Sequence, residues 1–245
     1  MKEGNPAQCA SLIAPLWEGG EPSDCVSTAA GYTLPQTYSY QISDMPPPIH
    51  KAVLDLVVQI TGGKIETTAP DWLMRPGKAA CGKRWPLLRS IYHDLTGLDL
   101  PEVLPQSNWR GLDGLIGVAG SAPRVIEVDE GQQFNNFRGM SLRRYPANWP
   151  LAYDVKVWIR KSHDEPRPSG KSGQPGGSAR PVPLFPGDTG RYQQRAFRDA
   201  LADILPPDYG YLPTLRIADF EVKGWIGSAS ARKRMEQLLD DKLSL

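Results

Sequence analysis

At 245 residues the chain is long enough to bury a full core as one large domain or as one domain with appendages. A formal net charge of +1 neither marks nor rules out a nucleic-acid partner, and no apolar run approaches the roughly 20 residues of a membrane span. Cys9, Cys25 and Cys81 stand at unrelated spacings, with no Cys-x-x-Cys pair and no paired histidines at zinc-site separation. They predict reduced thiols in a soluble, cytoplasmic protein, and the N-terminus lacks the apolar core of a signal peptide.

Residues 1–47 are rich in Pro, Gly, Ser and Thr and show neither helical nor strand periodicity, so an irregular arm is expected ahead of a domain spanning 48–245. Pro48 then stands where a first helical residue belongs. Ile49, Ala52, Val53, Leu56, Val57 and Ile60 follow at helix-face spacing, and Gly62 and Gly63 close the run. A second helix is expected from about Pro86, with Trp85, Leu88, Ile91, Tyr92 and Leu95 on one face and Gly97 as the stop. His93 lies on it without a second His or Cys, which points to a surface or capped histidine.

The chain is organised around positions 113–134. Gly114–Val118 and Arg124–Val128 read as strands on either side of a small-residue turn, forming a hairpin. Side chains alternate along a strand, so Val125, Glu127 and Asp129 share one face and the two carboxylates stand roughly 7 Å apart. With the turn centred near Gly120 and Ser121, Asp113 falls opposite Asp129 and diagonal to Glu127. Three carboxylates gathered at one end of a hairpin call for a metal, because like charges that close are otherwise costly.

From Arg124 to Arg198 there are thirteen Lys and Arg against seven Asp and Glu, so the acidic cluster sits in a basic surround. Residues 135–149 read as an irregular segment in which Arg138, Arg143 and Arg144 are interleaved with Tyr145 and Trp149. That mixture suits phosphate forks and base stacking, or equally an ordinary solvated loop. Tyr153–Lys161 alternates as a third strand, carrying Lys156 at its middle, and 164–187 is a Pro/Gly/Ser loop. Gly170, Lys171 and Ser172 do not make a phosphate loop, since Glu165 stands where its first glycine belongs. Arg191–Leu205 is a helix with Arg191, Arg195 and Arg198 along one side. Thr214–Val222 reads as a fourth strand and 229–243 as a last amphipathic helix.

Without its ends, the expected core runs helix, strand, strand, strand, helix, strand. This αβββαβ order, with VIEVDEGQQ at 125–133, LDGL at 112–115 and LRIADFEV at 215–222, resembles the restriction-endonuclease-like nuclease fold, in the branch related to very-short-patch-repair endonucleases. The match covers about 75–225. It implies an α/β (α+β) domain whose mixed four-stranded sheet is flanked by helices, with the arm and the C-terminal helix outside it. It further implies that Asp113 and Glu127 hold magnesium, with manganese as a substitute, and that Asp129 takes the place of the motif lysine. Three departures stand out: Glu130 for a glycine, Gln133 for a histidine, and Ala79, Ala80 and Cys81 where a helix glutamate is expected.

Phosphodiester hydrolysis needs charge neutralisation and hydroxide near neutral pH, both of which carboxylate-held magnesium supplies. The expected site is therefore Asp113, Glu127 and Asp129 on the metal, with Lys156 supplying positive charge and Gln133 placing water or phosphate. Double-stranded DNA is the expected partner, held by Arg138, Arg143, Arg144, Arg191, Arg195 and Arg198, and a homodimer suits cutting of both strands. The competing readings are a non-catalytic DNA-binding or assembly module on the same fold, and an RNA-cleaving nuclease.

Overall fold

The computed structural model describes residues 49–74, 77–104, 111–164 and 184–243; the expected N-terminal arm and most of the loop expected at 164–187 lie outside the described residues. In chain order the elements begin with helix α1 (Ile49–Thr61), strand β1 (Lys64–Thr68), two single-turn helices, α2 (Asp71–Met74) and α3 (Lys78–Cys81), and helix α4 (Trp85–Thr96). Strands β2 (Gly111–Gly117) and β3 (Arg124–Asp129) follow, then helices α5 (Asn136–Leu142), α6 (Val155–Asp164) and α7 (Gly190–Ile204). The chain continues with β4 (Leu212–Ala218), the short α8 (Asp219–Val222) and α9 (Ala231–Leu243). No helix among the described residues is long and apolar enough to cross a membrane.

The strands form one mixed sheet in the order β1, β2, β3, β4. The first two pairings are antiparallel and the third is parallel. Strand alternation divides the apolar residues between two faces. On one face Ile116, Ile126, Val128, Leu215 and Ile217 pack with Val53 and Val57 of α1 and with Met235 and Leu239 of α9. On the other, Leu112 and Val125 pack with Leu88, Ile91 and Leu95 of α4 and with Phe197, Leu201 and Ile204 of α7. Each fully buried aliphatic side chain of these layers contributes roughly 1.5–3 kcal/mol. The helix faces expected from spacing on α1, α4 and α7 are the buried ones. Gly97 ends α4 in the left-handed region at φ 71°, where its N–H donates to the His93 carbonyl at 2.7 Å. His93 itself is exposed, its Nδ1 3.3 Å from the Leu98 carbonyl.

Three expected elements are corrected. Tyr153–Lys161 is not a strand: helix α6 occupies 155–164. The alternation of Val155, Val157 and Ile159 masks a helical stripe of Val155, Trp158, Ile159 and Ser162, and Asp154 caps its start, its Oδ1 accepting the Lys156 N–H at 2.8 Å. The segment at 135–149 is not wholly irregular, because Asn135 accepts the N–H groups of Phe137 and Arg138 and starts α5. The last strand ends at Ala218, where Glu221 accepts the Ala218 N–H and turns the chain into α8.

The fourth strand of the sheet is instead β1, on the edge. The observed order is α1, β1, then α2, α3 and α4, then β2, β3, then α5, α6 and α7, then β4, so the sheet is four-stranded and mixed as expected but its third expected strand is replaced by β1. α1 precedes β1, and the segment around Ala79–Cys81 lies between β1 and β2.

Gly190 begins α7 against the loop at Phe185, so closely that a Cβ placed there would meet the Phe185 carbonyl oxygen at 1.9 Å. Gly190→Ala is expected to destabilise the fold by about 1–3 kcal/mol, seen as a Tm several degrees lower in a thermal melt. An unchanged Tm would show that this loop is not packed on the helix start.

Candidate active site

The β2–β3 hairpin turns through a left-handed Gly120, φ 77°, and its ladder pairs Ile116 with Arg124, Leu115 with Val125 and Gly114 with Ile126. Continuing that register brings position 113 beside 127, not 129. The strand alternation is broken at this point. Glu66 of β1 pairs with Leu115 while Thr68 pairs with Gly111, so β2 spends four residues where β1 spends two. Such a bulge redirects the side chains within it. Leu112 and Leu115 consequently pack in the same cluster, and the Asp113 carboxylate swings towards β3 at the end of the ladder. Its Oδ2 accepts the Val128 N–H at 2.7 Å, and its Oδ1 lies 3.0 Å from His50 Nε2 on α1.

Asp129 takes a different course. It is 1% exposed, accepting from Arg216 Nη1 at 2.7 Å and from the Trp158 indole at 2.7 Å. Arg216, from the adjacent strand β4, is wholly enclosed and also donates through Nε to Asp203 Oδ1 at 2.8 Å. The other oxygen of Asp203 accepts from Arg138 Nη2, Tyr145 OH and Tyr153 OH, each at 2.8 Å. Asp199 completes the group, its Oδ1 3.5 Å from Arg216 Nη2. Burial raises the Asp129 carboxyl, with Arg216 opposing it. Asp203 feels the same burial, but Arg216 and Arg138 together hold it below the ordinary carboxylate value.

The expected gathering of Asp113, Glu127 and Asp129 is therefore corrected: among the described residues no group of three His, Cys, Asp or Glu is placed to hold a metal. Glu127 and Asp129 do share a face by alternation, yet Asp129 is spent on Arg216 and Trp158, and the bulge redirects Asp113. Magnesium keeps several waters and takes one or two carboxylates. Asp113, 27% exposed in its side chain, meets His50 of α1, the half-buried Glu127 shares a strand face with Val125, and Asp129 is committed to Arg216 and Trp158.

Other expected site residues are also relocated. Gln133 Oε1 accepts the Glu130 N–H, and the two residues lock a tight turn at Gly131–Gln133 as a reciprocal cap, so Gln133 is engaged in structure. Glu130 has φ −95°, and a glycine is not required there. Lys156 is exposed on α6 rather than facing the carboxylates from a strand. Arg138 is buried in the ion network and does not reach a surface ligand. Arg144 pairs through Nη2 with Asp94 at 2.8 Å, and Arg143 is exposed beside Gly139. Arg191, Arg195 and Arg198 lie half-buried on α7, and burial lowers the Arg198 guanidinium.

His50, Arg216, Asp199 and Asp203 were not singled out from sequence. A signal existed for three of them: Asp199 and Asp203 lie four apart beside the apolar stripe of α7, and Arg216 interrupts an otherwise apolar strand. Charges of opposite sign at core positions imply mutual pairing. Comparison with protein-family models, with curated proteins and with solved structures returned no significant match.

Asp203→Ala leaves two enclosed guanidiniums short of a counter-charge and is expected to cost about 3–5 kcal/mol, read from urea unfolding at neutral pH. Because the folded-state pKa of Asp203 is depressed, its contribution is complete above the unfolded-state value of about 3.9 and is lost as pH falls through the folded-state value. Asp203→Asn should therefore flatten the acid limb of the stability profile. An unaltered acid limb would mean that Asp203 is not the principal counter-charge of the network.

Proposed function

We propose that the chain is a metal-dependent endonuclease that hydrolyses phosphodiester bonds, with duplex DNA as its substrate and Asp113 and Glu127 at the reacting centre. The observation that carries this reading is positional. In a sheet ordered β1 to β4, Asp113 stands on the second strand and Glu127 on the third, each one residue beyond the last pair of their ladder, Gly114 with Ile126. The resemblance to restriction-endonuclease-like nucleases takes its metal ligands from an Asp on one strand and an acidic residue on the next, which supports this reading.

Bound magnesium supplies charge neutralisation and hydroxide at neutral pH. The chain's own residues supply the orientation. Asp113 is held by the Val128 N–H on one oxygen and by His50 on the other, so little reorganisation is left to it. Glu127 is carried by a strand whose end is fixed from below by the Asp129–Arg216 pair. Arg191, Arg195 and Arg198 offer positive charge to the phosphate backbone from α7.

A second reading has an observation of its own. With Asp129 and Gln133 both committed to structure, the same fold serves as a non-catalytic nucleic-acid-binding or assembly module. Incubation with duplex DNA, single-stranded DNA and RNA, each with magnesium, manganese or EDTA, separates the readings. We expect metal-dependent cleavage of duplex DNA, lost by about two orders of magnitude or more in Glu127→Ala while DNA binding stays measurable. Undiminished cleavage by that variant would refute the assignment, binding without cleavage in the wild type selects the module, and preferential cutting of RNA transfers the site to that substrate.

A further inference from the structure

Strand β1 forms one edge of the sheet, and no described strand pairs with its outer side. Lys64, Glu66, Thr67 and Thr68 are exposed while Ile65 is half-buried. Natural sheets guard such edges with charge, because a bare row of backbone donors and acceptors recruits another strand. Here the guarding charges have a particular arrangement. Lys64 and Glu66 flank Ile65 on the opposite face of the strand from it, and neither has an ion-pair partner among the described residues.

Ile65 points towards α1, over Gly114, whose missing Cβ leaves room for it: a Cβ there would meet Ile65 Cγ2 at 2.9 Å. Beside it runs a groove of about 490 Å³, in which Leu54 and Val58 of α1 and Ile65 form the apolar wall and Lys51, Asp55 and Gln59 the polar rim. Ile65 is its sole contributor from the sheet, so the groove overlies the free edge. A half-exposed apolar wall beside an unpaired strand is a surface built to be covered.

We propose that a second copy of this chain covers it, the two β1 strands pairing antiparallel about a two-fold axis at Ile65. In that register Lys64 stands opposite Glu66 of the other copy and Glu66 opposite its Lys64, with Cβ atoms about 4.5–5.5 Å apart. The charges that discourage a foreign strand are thereby neutralised by the same charges of a copy, as a self-complementary interface requires. Both Ile65 side chains stay on the α1 face, so the two grooves meet across the axis and Leu54 and Val58 of each copy close over the other. The pairing does not depend on cleavage.

Sedimentation of the full chain over a wide concentration range tests this with two variants. Wild type is expected to dimerise reversibly. Glu66→Lys sets Lys against Lys in both pairs and should raise the dimer dissociation constant about tenfold or more. The double variant Lys64→Glu with Glu66→Lys reverses the polarity but keeps the complementarity, and should restore the wild-type constant. Circular dichroism melts confirm that each variant folds, which an exposed edge position permits. A wild type that stays monomeric throughout, leaving the edge to another partner, overturns the proposal. So does a dimer with the same constant in all three proteins, or a double variant that stays as weak as Glu66→Lys. None of these outcomes requires the protein to cut nucleic acid, so the result stands whichever way the cleavage assay falls.

Discussion

Arg216 sits in the middle of a buried strand with no exposed surface, and its guanidinium donates to the carboxylates of Asp203 and Asp129. A guanidinium has no neutral form to retreat to in a protein, so its enclosure requires counter-charges placed at the same time. They come from β3 as Asp129 and from α7 as Asp203 and Asp199. Strand β4 is thereby fixed to the neighbouring strand and to the helix that connects the two. Arg138, Tyr145 and Tyr153 bring α5 and the chain entering α6 to the same carboxylate. Because ion pairs of this kind add little over a well-packed apolar replacement, the network accounts for the arrangement of these elements more than for net stability.

That constraint decides what the neighbouring hairpin has available for chemistry. Asp129 answers Arg216, Glu127 lies two positions earlier on β3, and Asp113, turned by the β2 bulge, takes the Val128 N–H. Trp158 closes over the back of the site, its indole bound to Asp129 and its ring 4.7 Å from Lys242 Nζ, which ties α9 to α6. Lys242 in turn pairs with Glu221 at 2.8 Å. The buried charges thus form one support, and Asp113 stands beside His50 of α1.

Much of the fold was legible in the sequence because spacing alone controls it. The buried stripes of α1, α4 and α7 and the two strands around Gly120 were read from apolar periodicity, and these are the elements that build the core. Alternation failed where β-branched residues happened to lie on a helix: Val155, Val157 and Ile159 mimic a strand, while the capping Asp154 announced the helix. β1 was missed because an exposed edge strand, Lys-Ile-Glu-Thr-Thr, has a single apolar residue and no pattern to show. At the site, the strand alternation that puts Glu127 and Asp129 on one face was readable. The bulge at Asp113 was not, since it arises from how β2 pairs with a strand that had not been recognised. Nor was the partner of Asp129, which stands 87 residues away on β4.

The proposed site requires Glu127 to serve the ion while Asp129 serves the core, although both lie on one face of one strand. Isothermal titration of manganese into Glu127→Gln and Asp129→Asn, each first shown by its melt to be folded at the working temperature, tests this most directly. Glu127→Gln is expected to melt like wild type and lose the ion, while Asp129→Asn is expected to melt lower yet bind it as the wild type does. The reverse result, with manganese retained in Glu127→Gln and lost in a stably folded Asp129→Asn, would contradict the proposed site.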